Sequence, residues 1–325
     1  MFKLKILKTL FLKSISFLTA FGVFYGFSEL YYRTTDGFAL KHIRSDFSFD
    51  ERWQTRILSE AEKNLSDRIL SQKFSYLGKG CQSYVFESED GKYVLKFFKY
   101  QRLKEREWLK NFSFIPFVDA YQFKKNKRKC AKREGVFNSW KLAFDHLSQE
   151  TGVVYVHLNK SNHLKRSVHI VDKVGISYFL SIDDYEFMIQ KKARMLCDEI
   201  DDSIKNNNID YANSLLKKLV SRVVSEYRRG FADNDHALMQ NTGVFEGEPI
   251  HVDVGQFVQN DQVKEPTFYM QELYTKTYKF RLWLREKHPT LCDVFEEHLA
   301  SVIGEDFSKM KPFWRDQIEI FQKNI

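Results

Sequence analysis

The 325-residue chain has only four cysteines, Cys81, Cys130, Cys197 and Cys292, and no two of them lie close in sequence. That scatter excludes the common zinc-ligand spacings and supplies no disulfide framework, so free thiols in a reducing compartment are expected. No recognisable nucleic-acid-binding motif accompanies the 51 basic residues, and nucleic acid is not expected as a partner. The net charge of +8 suits instead a nucleotide, a phosphate or an anionic membrane surface. Apolar residues are not scarce: 43% hydrophobic and 16% aromatic content argues against extended disorder. A chain of this length buries a sizeable core, in one large or two modest domains.

Charge is missing altogether from Ser14 to Ser28, where Ile15, Phe17, Leu18, Phe21, Val23, Phe24 and Phe27 dominate. Lys3, Lys5, Lys8 and Lys13 precede that run. With Lys13 snorkelling, the stretch from Leu7 to Tyr32 is long enough to span a bilayer, with Tyr25, Tyr31 and Tyr32 near one interface. No small-x-small cleavage site follows, so residues 1–33 are expected to be an uncleaved membrane anchor. A signal peptide and a helix lying in the interface are the alternatives. Residues 34–73 are polar, and Trp53, Ile57, Leu58, Ala61, Leu65, Ile69 and Leu70 recur at helical spacing, which predicts a linker helix.

The most informative stretch begins at Tyr76-Leu77-Gly78-Lys79-Gly80-Cys81-Gln82-Ser83-Tyr84-Val85-Phe86. Glycines one residue apart let the backbone turn tightly and approach a ligand with no Cβ in the way. Val85 and Phe86 fit a returning strand, and Asp90-Gly91 is a hairpin turn signal. Val94 to Phe98 reads as a third strand with Lys96 near its middle, a costly place for a lysine unless an anion meets it.

A second informative stretch follows a proline- and glycine-free helical pattern from Tyr211 to Tyr227. It runs from Gly230 through Asp233, Asp235 and Asn241 to a turn at Gly247, then a strand, Pro249 to Gly255, ending in Asp253-Val254-Gly255.

Together the two stretches resemble the Gly-rich loop, strand lysine, catalytic loop and metal-binding turn of the protein-kinase-like superfamily. The resemblance covers Tyr76 to Phe257. It implies an α+β, two-lobed fold: a small antiparallel β lobe at 74–193 and a mainly helical large lobe at 194–325. The runs Val153–Leu158, Val168–Val174, Ile176–Ile182 and Tyr185–Ile189 would complete a five-stranded small lobe, with Gln190 to Ala193 as the hinge.

The resemblance also implies ATP and Mg²⁺ as cofactors. Gly78, Gly80, Ser83 and Val85 would cover the nucleotide, and Lys96 would hold its phosphates. A helix glutamate would clamp that lysine; Glu134, in a predicted helix over 131–147, is the candidate, with Glu105 and Glu107 as alternatives. Asn241 and Asp253 would carry the metal. Asp235 would position the acceptor hydroxyl, with Asp233 as its rival.

Departures narrow the reading. Ser83 stands at the third glycine, Asp235 precedes Asn241 by six residues where five is usual, and no His-Arg-Asp triplet occurs. There is no long activation segment and no Ala-Pro-Glu motif, which points away from a regulated protein kinase. A phosphotransferase of bacterial type is expected, acting on a hydroxyl of a small molecule or lipid-linked sugar. The alternative is a catalytically inactive kinase-like module that binds a partner at a membrane. The lysine-rich N-terminus predicts that the main chain lies beyond the membrane, where ATP is scarce, so the side of the membrane is left open.

Overall fold

The protein is seen in a computed structural model that describes residues 2–101, 103 and 116–314, with side chains from residue 13 onward. Glu105 and Glu107 lie outside the described residues.

The chain opens with α1 (Phe2–Thr35), whose described apolar side chains are mostly exposed. Among the described residues no helix is long and apolar enough to cross a membrane; the expected span from Leu7 to Tyr32 begins in residues whose side chains lie outside those described. Within the described part, Thr19 and Thr34 return hydrogen bonds to carbonyls one turn back, and Glu29 pairs with Arg33 at 2.8 Å.

Residues 34–73 do not form one long helix either. Beyond short turns only α2 (Glu60–Leu70) is helical there. Its start is set by a capping box, in which Ser59 and Glu62 each satisfy the other's backbone N–H. The segment before it wraps the small lobe, because its aromatics bury better there than in a solvated helix. Phe38 packs edge-on against Tyr84 and Phe86, and Trp53 does so against Phe137.

The small lobe holds β1 (Lys73–Lys79), β2 (Ser83–Ser88), β3 (Tyr93–Phe98), the long helix α3 (Pro116–His146), β4 (Val153–His157), β5 (Ser167–Val171), β6 (Ser177–Ser181) and β7 (Phe187–Lys191). The predicted Asp90-Gly91 turn is present, with Gly91 at a φ of +68°. The sheet has seven strands rather than five, in the order β4-β7-β3-β2-β1-β5-β6. The β5–β6 hairpin adds to the β1 edge, and because β5 runs parallel to β1 the sheet is mixed, not purely antiparallel. Val168, Ile170 and Leu180 point that hairpin into the core, which is why it belongs to the lobe.

The large lobe follows: β8 (Arg194–Met195), α4 (Leu196–Lys205), α5 (Ile209–Arg228), β9 (Phe231–Asp233), β10 (Thr242–Phe245), β11 (Glu248–His251), β12 (Phe257–Gln259), α6 (Pro266–Lys287) and α7 (Pro289–Ile303). Leu215, Leu216, Leu219, Val220, Val223 and Val224 bury one face of α5, as their helical spacing predicts. Pairing of β9 with β12 sets Asp233 opposite Phe257 and so brings the Asp-rich loop beside the Asp-Val-Gly turn. Val254 and Phe257 then insert into the small-lobe core, which fixes that turn to the other lobe. The architecture is α+β and two-lobed, with one hydrophobic core per lobe.

Candidate functional site

Lys96 sits in mid-sheet between β2 and β7, deep in the cleft with part of its surface still open. Its Nζ donates to the Val252 carbonyl at 2.5 Å, across the lobe boundary. Burial pushes the ammonium down to about 8, against the opposing pull of the Asp253 charge. Burial pushes the Asp253 carboxyl up; Lys96 opposes this, and the charges of Asp233 and Asp235 add to it. One Asp253 oxygen accepts the Gly255 N–H at 3.0 Å, which shapes the turn. One cation and three carboxylates thus share a field.

Glu134 does not join them. It pairs with Arg52 at 3.3 Å on the outside of α3, and the expected clamp on Lys96 is corrected accordingly. The reason is rotational: Val136, Phe137, Ser139, Trp140 and Phe144 form the buried face of α3, and Glu134 falls beside it. Ser139 reaches the site instead. Its hydroxyl donates to the Val254 carbonyl at 2.5 Å and accepts the Phe257 N–H at 2.6 Å, holding the Asp-Val-Gly turn from both sides. Nothing in a lone serine of a helical run signals this in sequence.

In the Gly-rich loop, the Gly80 N–H donates to the Ser83 carbonyl at 2.9 Å, and Lys99 Nζ donates to the Gly80 carbonyl at 3.0 Å. A Cβ at Gly78 would meet open space, and one at Gly80 would come no nearer than 3.9 Å to the Ser83 hydroxyl. Crowding within the protein therefore does not demand glycine at either position. At Gly255 a Cβ would overlap the Gln82 carboxamide, the movable end of a flexible side chain. Gln82 Oε1 is buried there with no hydrogen-bond partner among the described residues. Ser83 is buried, and Val85 lies opposite Lys96 in the β2–β3 register.

The rival aspartates occupy different environments. Asp233 is buried and bound to Lys276 Nζ at 2.8 Å, with His251 Nδ1 at 3.9 Å. Asp235 is half-buried; its carboxylate accepts the Ala237 N–H at 2.9 Å and the Gln256 amide at 3.2 Å. Asp235, and not Asp233, lines a cavity of about 340 Å³. A larger cavity of about 640 Å³ lies between α2 and the end of β4, and none of the candidate residues lines it.

Asn241 is buried, and its carbonyl accepts the Val252 N–H at 2.8 Å, tying the loop to the strand that carries Asp253. Its carboxamide makes no hydrogen bond among the described residues, which leaves it available as a ligand. Among the described residues no group of three or more His, Cys, Asp or Glu side chains is arranged to hold a metal alone. Asn241 and Asp253 fit the different case in which phosphate oxygens complete the shell.

A buried polar ladder underlies the loop. His251 Nε2 contacts both Glu226 oxygens at 2.9 and 3.0 Å, and Arg222 lies 3.3 Å from the same carboxylate. Burial and the Arg222 charge push His251 below its ordinary value, so the neutral ring donates from Nε2 while Arg222 balances Glu226. Gln190, at the end of β7, donates to the His251 carbonyl at 2.8 Å and so ties the hinge to this ladder.

No family model matches the chain, and no curated protein matches it. Among solved structures, the bifunctional kinase-methyltransferase WbdD aligns over 75% of this chain and 47% of its own, at 15% identity and a TM-score of 0.35. A second WbdD structure aligns over 75% and 48%, at 14% and 0.34. The erythromycin complex of Rv3197 from Mycobacterium tuberculosis aligns over 70% and 55%, at 15% and 0.34. The chain spans about half the length of these proteins. The order of its own parts, glycine-rich hairpin, strand lysine, packed helix, long helix, Asp-rich loop and Asp-Val-Gly turn, is the order on which the resemblance to a kinase-like fold rests.

Proposed function

We propose that the chain is a phosphotransferase that uses ATP and Mg²⁺ to phosphorylate a hydroxyl of a small molecule or lipid-linked sugar. The observation that carries this reading is the meeting of Lys96 from one lobe with Val252-Asp253 from the other, beside an Asp235 that faces a cavity. Open space over Gly78 and Gly80, and the unengaged Asn241 carboxamide, support a nucleotide and a metal as the absent groups.

In this reading Lys96 holds the phosphates and Gly78, Gly80, Ser83 and Val85 cover them. Asn241 and Asp253 hold the ion, which when bound neutralises charge on the phosphoryl group. Asp235 accepts a hydrogen bond from the acceptor hydroxyl and then its proton. The hydroxyl oxygen forms the new bond to the γ-phosphorus, and the β–γ bridging oxygen leaves with the electron pair of the broken bond as part of ADP. Asp233 keeps Lys276 neutralised and the loop in place.

The test is Mg²⁺-dependent conversion of ATP to ADP by the full chain, compared with Asp253→Asn. Loss of turnover in that variant supports the proposal, and wild-type turnover in it defeats the mechanism. Glu134 turned away from Lys96, with Gln82 seated on Gly255, favours as second reading a nucleotide-binding module without catalysis. Nucleotide binding without any phosphoryl release would select it.

The exposed Phe17, Leu18, Phe21, Phe24 and Phe27 of α1 support attachment at a membrane.

A further inference from the structure

The cavity beside Asp235 has a composition of its own. His236, Gln240, Lys276, Lys279 and Trp314 contribute to its wall. Lys276 is already matched by Asp233, and its Nζ also donates to the carbonyls of Asp233 and Asp235 at 3.3 and 3.2 Å. His236 Nε2 stands 3.2 Å from Glu272. Lys279 has no acidic partner among the described residues, and its Nζ lies 5.1 Å from the centre of the Trp314 ring. The edge of His236 supports the same ring at 5.6 Å, so an exposed indole is held at the rim.

Three features of a ligand follow. A hydroxyl must point at Asp235, the carboxylate open to the cavity. A flat apolar face must meet Trp314, since a braced indole offers contact area at little entropic cost. An anionic substituent must meet Lys279, which has no acidic partner among the described residues. A volume of about 340 Å³ admits a single ring with a substituent and is too small for a folded protein surface.

We infer that this cavity is the acceptor site and takes a sugar bearing a phosphate monoester, its ring on Trp314 and its phosphate on Lys279. The inference rests on the phosphotransferase reading and names its substrate class.

The test uses the full chain with a panel of hexose 1- and 6-phosphates, and with the parent hexoses as uncharged controls. Thermal stabilisation by Mg²⁺-ATP is recorded in parallel. The expected result is ADP release raised by at least one hexose phosphate and not by its parent sugar. Lys279→Ala should then raise KM for that phosphate at least tenfold, and Trp314→Ala should do the same, with the Mg²⁺-ATP shift unchanged in both. Both side chains are exposed, so the variants fold. If Mg²⁺-ATP stabilises the chain but no hexose phosphate acts, or a parent sugar acts equally well, the acceptor inference is overturned while the nucleotide reading stands. If Mg²⁺-ATP itself gives no stabilisation, the phosphotransferase reading fails and the acceptor inference with it.

Discussion

Gln82 of the Gly-rich loop lies directly on Gly255 of the Asp-Val-Gly turn, its carboxamide filling the space that a Cβ at 255 would take. The contact joins the two motifs that a nucleotide would have to separate. An unpartnered buried oxygen costs about 1–3 kcal/mol, so Gln82 Oε1 is a group ready to be displaced. Gln82→Ala removes that competitor and should tighten Mg²⁺-ATP binding several-fold in calorimetry. Unchanged or weaker binding would show that Gln82 does not occupy ligand space.

The Lys96 ammonium, pushed down to about 8 by burial, gives nucleotide binding a definite pH dependence. An anionic phosphate favours the charged form, so affinity should fall as pH rises through about 8, and binding at pH 8 should take up a proton. Binding enthalpies in buffers of different ionisation heat would show that uptake. The stability sign follows from the same shift. Between about 8 and the ordinary lysine value the unfolded chain holds the proton that the folded chain has lost, so stability rises with pH across that window. Below it the charged lysine is held against burial by the Asp253 charge, and Lys96→Met should abolish nucleotide binding; retained Mg²⁺-ATP binding in Lys96→Met would contradict this.

The two loop aspartates should separate cleanly on mutation. Asp233→Asn leaves Lys276 buried without its counter-charge, which costs about 3–5 kcal/mol and should appear as a large loss of thermal stability. Asp235→Asn sits at a half-open position and should leave stability nearly unchanged while lowering turnover at least about a hundredfold. The reverse pattern would exchange their roles.

On α3, Glu134→Gln should alter turnover by less than about twofold, because its partner is Arg52 at the surface and exposed pairs contribute under about 1 kcal/mol. Ser139→Ala removes two hydrogen bonds to the turn and should cost about 1–3 kcal/mol in chemical denaturation. A large loss of activity in Glu134→Gln with an intact Ser139→Ala would restore the glutamate clamp.

What could be seen in the sequence was what its local rules express. Alternation around Lys96, the Asp90-Gly91 turn and the apolar stripe of α5 each announce an element through periodicity or turn chemistry, and each is present. The order of those parts carried the two-lobed architecture. What stayed hidden depended on partners distant in sequence. Whether Glu134 or Ser139 faces the turn depends on the rotation of α3, which long-range packing of Phe137 and Trp140 decides. Lys276 looks like any lysine on a helix until α6 packs beneath the loop and buries it against Asp233. The β5–β6 hairpin reads correctly as two strands, but its parallel docking on β1 is a tertiary choice. At the N-terminus, the apolar composition that suggested a membrane span begins in residues whose side chains lie outside those described.

The central claim is that the cleft between Lys96 and Asp253 binds a nucleotide through a metal. Thermal unfolding of the full chain with ATP, with and without Mg²⁺, tests it most directly, with Asp253→Asn as the control. A ligand at a hundred times its Kd stabilises by about 2.7 kcal/mol, a shift readily resolved. The predicted result is a stabilisation that requires Mg²⁺ and vanishes in Asp253→Asn. No stabilisation of the wild type, or a full shift retained in Asp253→Asn, would contradict it.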